Sequence, residues 1–167
     1  MPPIHFATFN VTSQVFHTTP LTFALVNLKP LLPGHILVSP LRVKSHLSDL
    51  TREEVSDLFL TVTKIQRTLK RVYKADAFNV AVQDGVEAGQ SVPHVHCHVI
   101  SRVRDDPGGE DKVHQWLEGE EGNVGRQQKE WVQDEERKPR SREEMEKEAK
   151  WLREEMVKDE GESGGKL

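Results

Sequence analysis

The 167-residue sequence predicts an α+β domain that carries a charged extension. Three observations predict it. Short runs of β-branched and aromatic residues recur through the first hundred positions. One long segment, 51–73, has its apolar residues at helical spacing. The composition then changes after residue 102: residues 1–102 hold 10 Lys+Arg against 7 Asp+Glu, a net charge of +3, and residues 103–167 hold 13 against 20, a net of −7. Hydrophobic residues make up 35% and charged residues 30% of the whole, too polar an average for one compact globule. The chain divides into a domain over 1–103 and an acidic remainder.

Val15-Phe16 and Leu21 to Val26 read as strands, with Thr18-Thr19-Pro20 as the turn between them. Lys29 to Gly34 is a proline- and glycine-bearing loop, and His35 to Pro40 is a further strand. Thr51 to Tyr73 is the clearest helix, because Val55, Leu58, Phe59, Val62, Ile65, Leu69 and Val72 share one face. Thr51 and Glu54 match a capping box, and Leu50 can staple onto Val55. Arg67, Lys70, Arg71 and Lys74 suit the negative end of the helix dipole. This helix is expected to cover one face of a sheet.

Ala77 to Gln83 alternates as a strand does, with Phe78, Val80 and Val82 to one side. Asp84 to Gln90 is a polar loop whose acids read as turn chemistry, and Val92 to Arg102 is a strand of strict period two. Residues 104–140 have few aliphatics and a surplus of acid, so they read as a mobile insertion dispensable for chemistry. Ser141 and Glu144 form a second capping box, opening a helix over 141–158 that docks through Met145, Ala149, Leu152 and Met156. Residues 159–167 read as a disordered tail.

Several function classes fall away on composition. No stretch approaches the length of apolar sequence needed to span a bilayer, so no membrane association is expected. No secretory signal is visible at the N-terminus. The single cysteine, Cys97, cannot form an internal disulfide, which fits a reducing compartment. The expected location is the cytoplasm, with the nucleus as a second one. There is no basic stripe, so nucleic acid is not an expected partner.

The chemistry concentrates in His94-Val95-His96-Cys97-His98. On a strand, alternate residues point the same way, so the three histidines line one face while Val95, Cys97 and Val99 face the core. Three readings compete: a surface strand that happens to carry histidine, a zinc site built on His-x-His, and catalysis on phosphate, in which one imidazole attacks phosphorus and its neighbours carry protons. The surroundings favour phosphate. Gly89-Gln90-Ser91 lies upstream, where backbone N–H groups can cradle anionic oxygens. Gln83 offers a neutral amide, and His35 after Pro33-Gly34 can buttress the others. No acidic residue is well placed as a ligand, and no protein-bound metal is expected.

The run Gln83-Asp84-Gly85-Val86-Glu87-Ala88-Gly89-Gln90-Ser91-Val92-Pro93-His94-Val95-His96-Cys97-His98-Val99 resembles the signature of the histidine-triad superfamily. The segments 21–30 and 33–40, with Gln83-Asp84-Gly85, resemble its fragile histidine triad branch. The resemblance covers roughly 5–103 and the C-terminal helix. It implies a five-stranded antiparallel sheet with a long helix, paired with a second copy into a ten-stranded homodimer. It also implies hydrolysis of dinucleoside polyphosphates such as diadenosine triphosphate to AMP plus a nucleotide, through a nucleotidyl-histidine. In that family the middle histidine, here His96, is the nucleophile. His98 and the backbone of Gly89, Gln90, Ser91 and Val92 would hold phosphate oxygens, and His94 and His35 would orient the imidazoles. Gln83 would meet the scissile bridge and then the attacking water, and Asn27 would bind the ribose. Leu25 and Leu37 would flank the adenine, although ordinary core packing accounts for them equally well. A divalent cation, Mg or Mn, would accompany the substrate without being tightly bound by the protein.

Two features depart from the branch: Cys97 stands where an aliphatic is usual, and the segment 104–140 is longer and more acidic. Two other functions remain open on sequence. One is hydrolysis of nucleoside phosphoramidates, a sister activity without an equivalent of Gln83. The other is a diadenosine polyphosphate-binding signalling module with slow turnover.

Overall fold

The computed structural model describes residues 2–109, 112–121 and 139–163. Its strands are β1 (His5–Phe6), β2 (Phe9–Asn10), β3 (Val15–Thr18), β4 (Thr22–Val26), β5 (Ile36–Pro40), β6 (Ala77–Val82) and β7 (Cys97–Arg102). Its helices are α1 (Arg52–Val72), α2 (Lys112–Glu121) and α3 (Arg142–Ser163). Strands β3 to β7 form one antiparallel sheet in the order β3-β4-β5-β7-β6, and β1 and β2 pair as a separate hairpin. This is the α+β architecture expected: five antiparallel strands, a long helix and a C-terminal helix. Among the described residues no helix is long and apolar enough to cross a membrane.

The sheet is covered on both faces, and residue alternation sorts them. Ala24, Val26, Ile36, Val38, Cys97 and Val99 point to one side and pack with Leu58, Val62, Ile65 and Leu69 of α1 and Met145, Ala149, Leu152 and Met156 of α3. The intervening residues point the other way. Phe23, Leu25 and Leu37 meet Phe6, Val11 and Val15 at the N-terminal hairpin, and Ile100 meets Leu31, Leu32, Val113 and Leu117. A strand buried on both faces needs apolar residues at nearly every position, and β4 and β5 are buried throughout.

α1 begins as its sequence dictates. The Glu54 N–H donates to Thr51 Oγ1 at 3.2 Å, and the Thr51 N–H donates to Glu54 Oε2 at 2.8 Å. Arg42, just after β5, grips the same carboxylate through Nε at 2.7 Å and Nη2 at 2.6 Å. Ser141 and Glu144 repeat the reciprocal cap at the start of α3, at 2.8 and 3.2 Å. The expected α1 face packs into the core at Leu58, Val62, Ile65, Leu69 and Val72, while Val55 is half-buried outside that cluster and Phe59 is 40% exposed beside Leu60 at 67%. On the edge strand β6, Phe78 and Val82 pack against the core, and Val80 remains 42% exposed.

The structure parts most from the sequence reading at β7, in the insertion and at the end of α3. β7 begins at Cys97 rather than at Val92. Pro93 has no N–H to give a ladder, and the Val95 N–H donates instead to the Lys44 carbonyl at 2.6 Å. The insertion 104–140 contains α2, whose Val113 and Leu117 are buried; apolar residues four apart sufficed for a docked helix despite the acidic surroundings. The rest of the insertion, 122–138, lies outside the described residues. Helix α3 runs to Ser163, so the expected tail is in part helical. Asp159 accepts from Thr68 and Arg71, and Glu160 accepts from Lys64, which ties these acids to α1. Residues 164–167 lie outside the described part.

Because Leu152 is fully buried between α1 and the sheet, Leu152→Ala is expected to destabilise the fold by about 2–5 kcal/mol. Urea denaturation would read this directly. A loss below about 1 kcal/mol would mean that α3 is a peripheral element.

Candidate active site

Four histidines meet on the sheet face turned away from α1, and all are buried: His94 and His98 at 0%, His35 and His96 at 1% exposure. The chain brings His35 there through Gly34. That glycine sits at φ +78°, and a Cβ on it would lie 2.8 Å from the Tyr73 ring, so neither the backbone nor the space admits a side chain. His35 follows, immediately before β5. Leu37 of β5 pairs with His98 of β7, which sets the His35 and His98 rings 5.2 Å apart.

Backbone groups decide which ring nitrogens carry protons. The Leu31 N–H lies 3.0 Å from His35 Nδ1, so that nitrogen must accept and the proton sits on Nε2. His35 Nε2 lies 2.9 Å from His98 Nδ1 and donates to it, which leaves His98 protonated at Nε2. The Asn27 amide nitrogen also lies 3.1 Å from His35 Nε2. A protonated nitrogen cannot accept from that amide, so the shorter contact with His98 takes the proton. At the other end of the run, the Ala7 N–H lies 3.0 Å from His94 Nδ1, and His94 Nε2 donates to the Pro40 carbonyl at 2.8 Å. His96 Nδ1 donates to the His94 carbonyl at 2.7 Å, which makes His96 Nε2 the nitrogen with the lone pair. The arrangement is a proton-ordered set: one imidazole with a basic Nε2, beside another whose Nε2 carries a proton.

Packing supports this order. Phe6 stacks on His94 with centroids 5.4 Å apart and stands edge-on to His96 at 5.1 Å. His96 meets His98 edge-on at 5.1 Å. Burial lowers the His94 pKa from its ordinary value, with proximity to His96 adding to the effect, so the neutral form is the resident one. Burial pushes the Cys97 thiol up to about 12, which removes it as a competing nucleophile.

The remaining expected site residues fall less evenly. Gln83 is 8% exposed and follows β6; its Nε2 donates to the Leu117 carbonyl of α2 at 3.3 Å, and its buried Oε1 has no partner among the described residues. Asn27 is buried after β4, and its Oδ1 accepts from the Lys29 N–H at 3.1 Å. The expected cradle from Gly89 to Val92 is narrower than the sequence suggested. The Gly89 N–H donates to Val86 and the Gln90 N–H to Gly85, because a short 3-10 turn over 86–88 closes there, with Gly89 at φ +91°. The donors of that stretch that do not close the turn are the N–H groups of Ser91 and Val92. Gln90 holds the loop in place, its Nε2 donating to the Ser45 carbonyl at 2.8 Å. Leu25 and Leu37 face the histidine side of the sheet, but both are buried in the cluster with Phe6 and Phe23.

Sequence reasoning missed Phe6, Ala7, Arg140 and Leu117. Ala7 sits at φ +50° in the tight turn of the N-terminal hairpin, a strained conformation that delivers its N–H to His94. Arg140 donates through Nε to the Asn27 carbonyl at 3.0 Å, and its backbone N–H meets Leu28. Ala7, Arg140 and Leu117 act through long-range backbone contacts, which leave no local pattern. Only Phe6, within the apolar-bearing stretch Ile4 to Val11, offered any signal.

An antiparallel α+β domain that orders the protons of a His-x-His-x-His run defines a histidine-triad protein. The chain belongs to the HIT domain family, whose match spans residues 8–105. It is 45% identical over 168 residues to the asymmetrical bis(5'-nucleosyl)-tetraphosphatase of Schizosaccharomyces pombe, covering 90% of this chain and 92% of that one. It is 52% identical over 118 residues to the bis(5'-adenosyl)-triphosphatase of Saccharomyces cerevisiae, covering 68% of this chain but only 57% of the yeast protein. Among solved structures it is similar to the Plasmodium falciparum diadenosine triphosphate hydrolase in complex with cyclomarin A, with a TM-score of 0.73 and 31% identity over 95% of this chain and 86% of that one.

The lowered pKa of His94 sets an acid limit on stability, and burial lowers His17 as well. Both are near 6.5 when unfolded. Below that pH the unfolded chain binds protons that the folded chain refuses, so their contribution is complete above about 6.5 and is lost as pH falls further. Glu54 and Asp106, held near about 2 by Arg42 and Arg102, stay charged throughout this window. Tm is therefore expected to be flat from about pH 8 to 7 and to fall from about 6.5 to 5, less steeply in His94→Asn. Equal slopes in the two proteins would mean that His94 does not contribute.

Proposed function

We propose that this protein hydrolyses dinucleoside polyphosphates, diadenosine triphosphate or a close relative, to AMP and the remaining nucleotide. The observation that carries the reading is the proton order of the histidines. His96 Nε2 has the lone pair that nucleophilic attack on phosphorus needs. Its Nδ1–H already donates to the His94 carbonyl, which eases the positive charge that forms on the ring when Nε2 bonds to phosphorus. His98 Nε2–H is the donor for an oxygen of the attacked phosphate. The names of the two fungal relatives and of the Plasmodium structure point to the same class of substrate.

In the first step the Nε2–P bond forms while the P–O bond to the departing nucleotide breaks, and the electron pair leaves on that oxygen. In the second, water attacks the same phosphorus, the P–N bond breaks, and its electron pair returns to His96 Nε2. Gln83 suits both steps, since a neutral amide adds neither repulsion nor a titrating group beside the phosphates. Asn27, held by the loop that Arg140 anchors, suits the ribose hydroxyls. A divalent cation enters with the polyphosphate as part of the substrate in this reading.

The reading includes a homodimer. Strand β6 is a sheet edge, and Val80 on it and Phe59 and Leu60 on α1 expose apolar surface that a second copy can cover. Light scattering is expected to give twice the chain mass, and Val80→Lys to shift it toward one chain. A wild-type protein that runs as a single chain at micromolar concentration would remove this part of the reading.

His96→Ala is expected to lose nearly all turnover of diadenosine triphosphate while keeping part of its binding. More than a tenth of wild-type activity in that variant would overturn the mechanism. Gln83→Ala is expected to lower turnover of the dinucleotide more than its binding, and to matter much less for an adenosine phosphoramidate. Equal losses on both substrates, or a wild-type preference for the phosphoramidate, would favour the sister activity.

A further inference from the structure

The contact between Gln83 and α2 joins a residue of the site to a segment that composition marked as expendable. Gln83 has one amide and two ends, and the two ends differ. Its Nε2 donates to the Leu117 carbonyl at 3.3 Å, and its Oε1 is buried without a partner among the described residues. A buried amide oxygen left unsatisfied costs stability, so it is kept only where something else is served. An amide can rotate to exchange oxygen for nitrogen, and the Leu117 carbonyl prevents this, since a carbonyl cannot face an amide oxygen. The helix that carries Leu117 is itself anchored on the histidine face of the sheet. Val113 and Leu117 pack with Leu31, Leu32 and Ile100, and Trp116 and Ala81 pack against the same cluster; Ala81 pairs with His98 across the sheet.

We infer that α2 is a positioning element for hydrolysis: the Leu117 carbonyl turns the Gln83 amide so that Oε1 accepts a hydrogen bond from the water that releases nucleotide from His96. The inference rests on the proposed phosphoanhydride chemistry. Water oxygen bonds to phosphorus as the P–N bond breaks, the electron pair returns to His96 Nε2, and one water proton passes to solvent. The amide takes no proton; it only holds the water in line. Attack by His96 does not use Oε1 as an acceptor, so α2 matters most for the second step. The acidic segment after β7 therefore contributes a backbone carbonyl to the site.

The test undocks α2 in the full-length chain. Val113→Asp with Leu117→Asp places carboxylates against Leu31, Leu32 and Ile100, where burial disfavours them. With diadenosine triphosphate, kcat is expected to fall about tenfold and KM to fall with it, leaving kcat/KM within about threefold, because the first step is untouched. The fraction of enzyme carrying nucleotide on His96, read by mass spectrometry after an alkaline denaturing quench that spares the P–N bond, is expected to rise. In a double-mutant cycle, undocking is expected to lower kcat no further once Gln83 is alanine. Val113→Ala, milder and safe for folding, is expected to shift the quenched fraction in the same direction. Full activity on undocking, a gain in kcat, an unchanged nucleotidyl fraction, or losses that multiply with Gln83→Ala would each overturn the inference. A wild-type protein that forms no nucleotidyl-His96 at all would instead remove the proposed function on which it rests.

Discussion

Two backbone N–H groups, those of Leu31 and Ala7, set the protonation of three of the site's four rings. Each meets the Nδ1 of a histidine and leaves that nitrogen no role but acceptor. From the first, the proton order runs through His35 to His98. From the second, His94 is locked as a neutral ring whose Nε2 donates to Pro40. His96 takes its own order from the His94 carbonyl. Four imidazoles side by side would otherwise hold many nearly equal proton arrangements. Here the main chain selects one, with a basic nitrogen next to an acidic hydrogen, before any substrate arrives.

That selection requires the backbone to be held firmly, and the two faces of the sheet divide the task. One face carries the apolar packing of α1 and α3, which supplies most of the burial. The other carries the polar rings under the N-terminal hairpin and α2. The faces are braced through side-chain bonds that cross elements. Tyr73 donates to Glu148 at 2.6 Å, the same carboxylate takes Arg140, and Arg140 holds the Asn27 carbonyl at the mouth of the loop that leads to His35. A helix far from the histidines in sequence thereby fixes the loop on which Leu31 sits. Strain at Ala7 fits the same logic: a left-handed residue costs on the order of 1–3 kcal/mol and persists because surrounding contacts demand it.

Local signals in the sequence were strong wherever a pattern repeats. Both capping boxes, the apolar stripe of α1, the alternation in β6 and β7 and the β-branched and aromatic run of β4 were legible, since helix and strand periods are enforced by each residue's own geometry. The docking residues of α3 were equally visible, although its end was not: Asp159 and Glu160 look like tail acids until Thr68, Arg71 and Lys64 are placed beside them. The insertion misled for a related reason. Average composition hides two apolar residues four apart, and burial of Val113 and Leu117 depends on an apolar hollow formed by residues some eighty positions earlier, Leu31 and Leu32.

The sequence by itself determined the five strands of the main sheet and the two capped helices. Each of these follows from spacing along a single element. Tertiary structure alone decided which nitrogen of each ring is protonated, which backbone donors near Gly89 close the turn, and that Gln83 answers to α2. Those outcomes turn on single hydrogen bonds of about 3 Å between segments as far apart as Ala7 and His94. Spacing along one chain carries no record of which distant backbone atom will arrive at that distance.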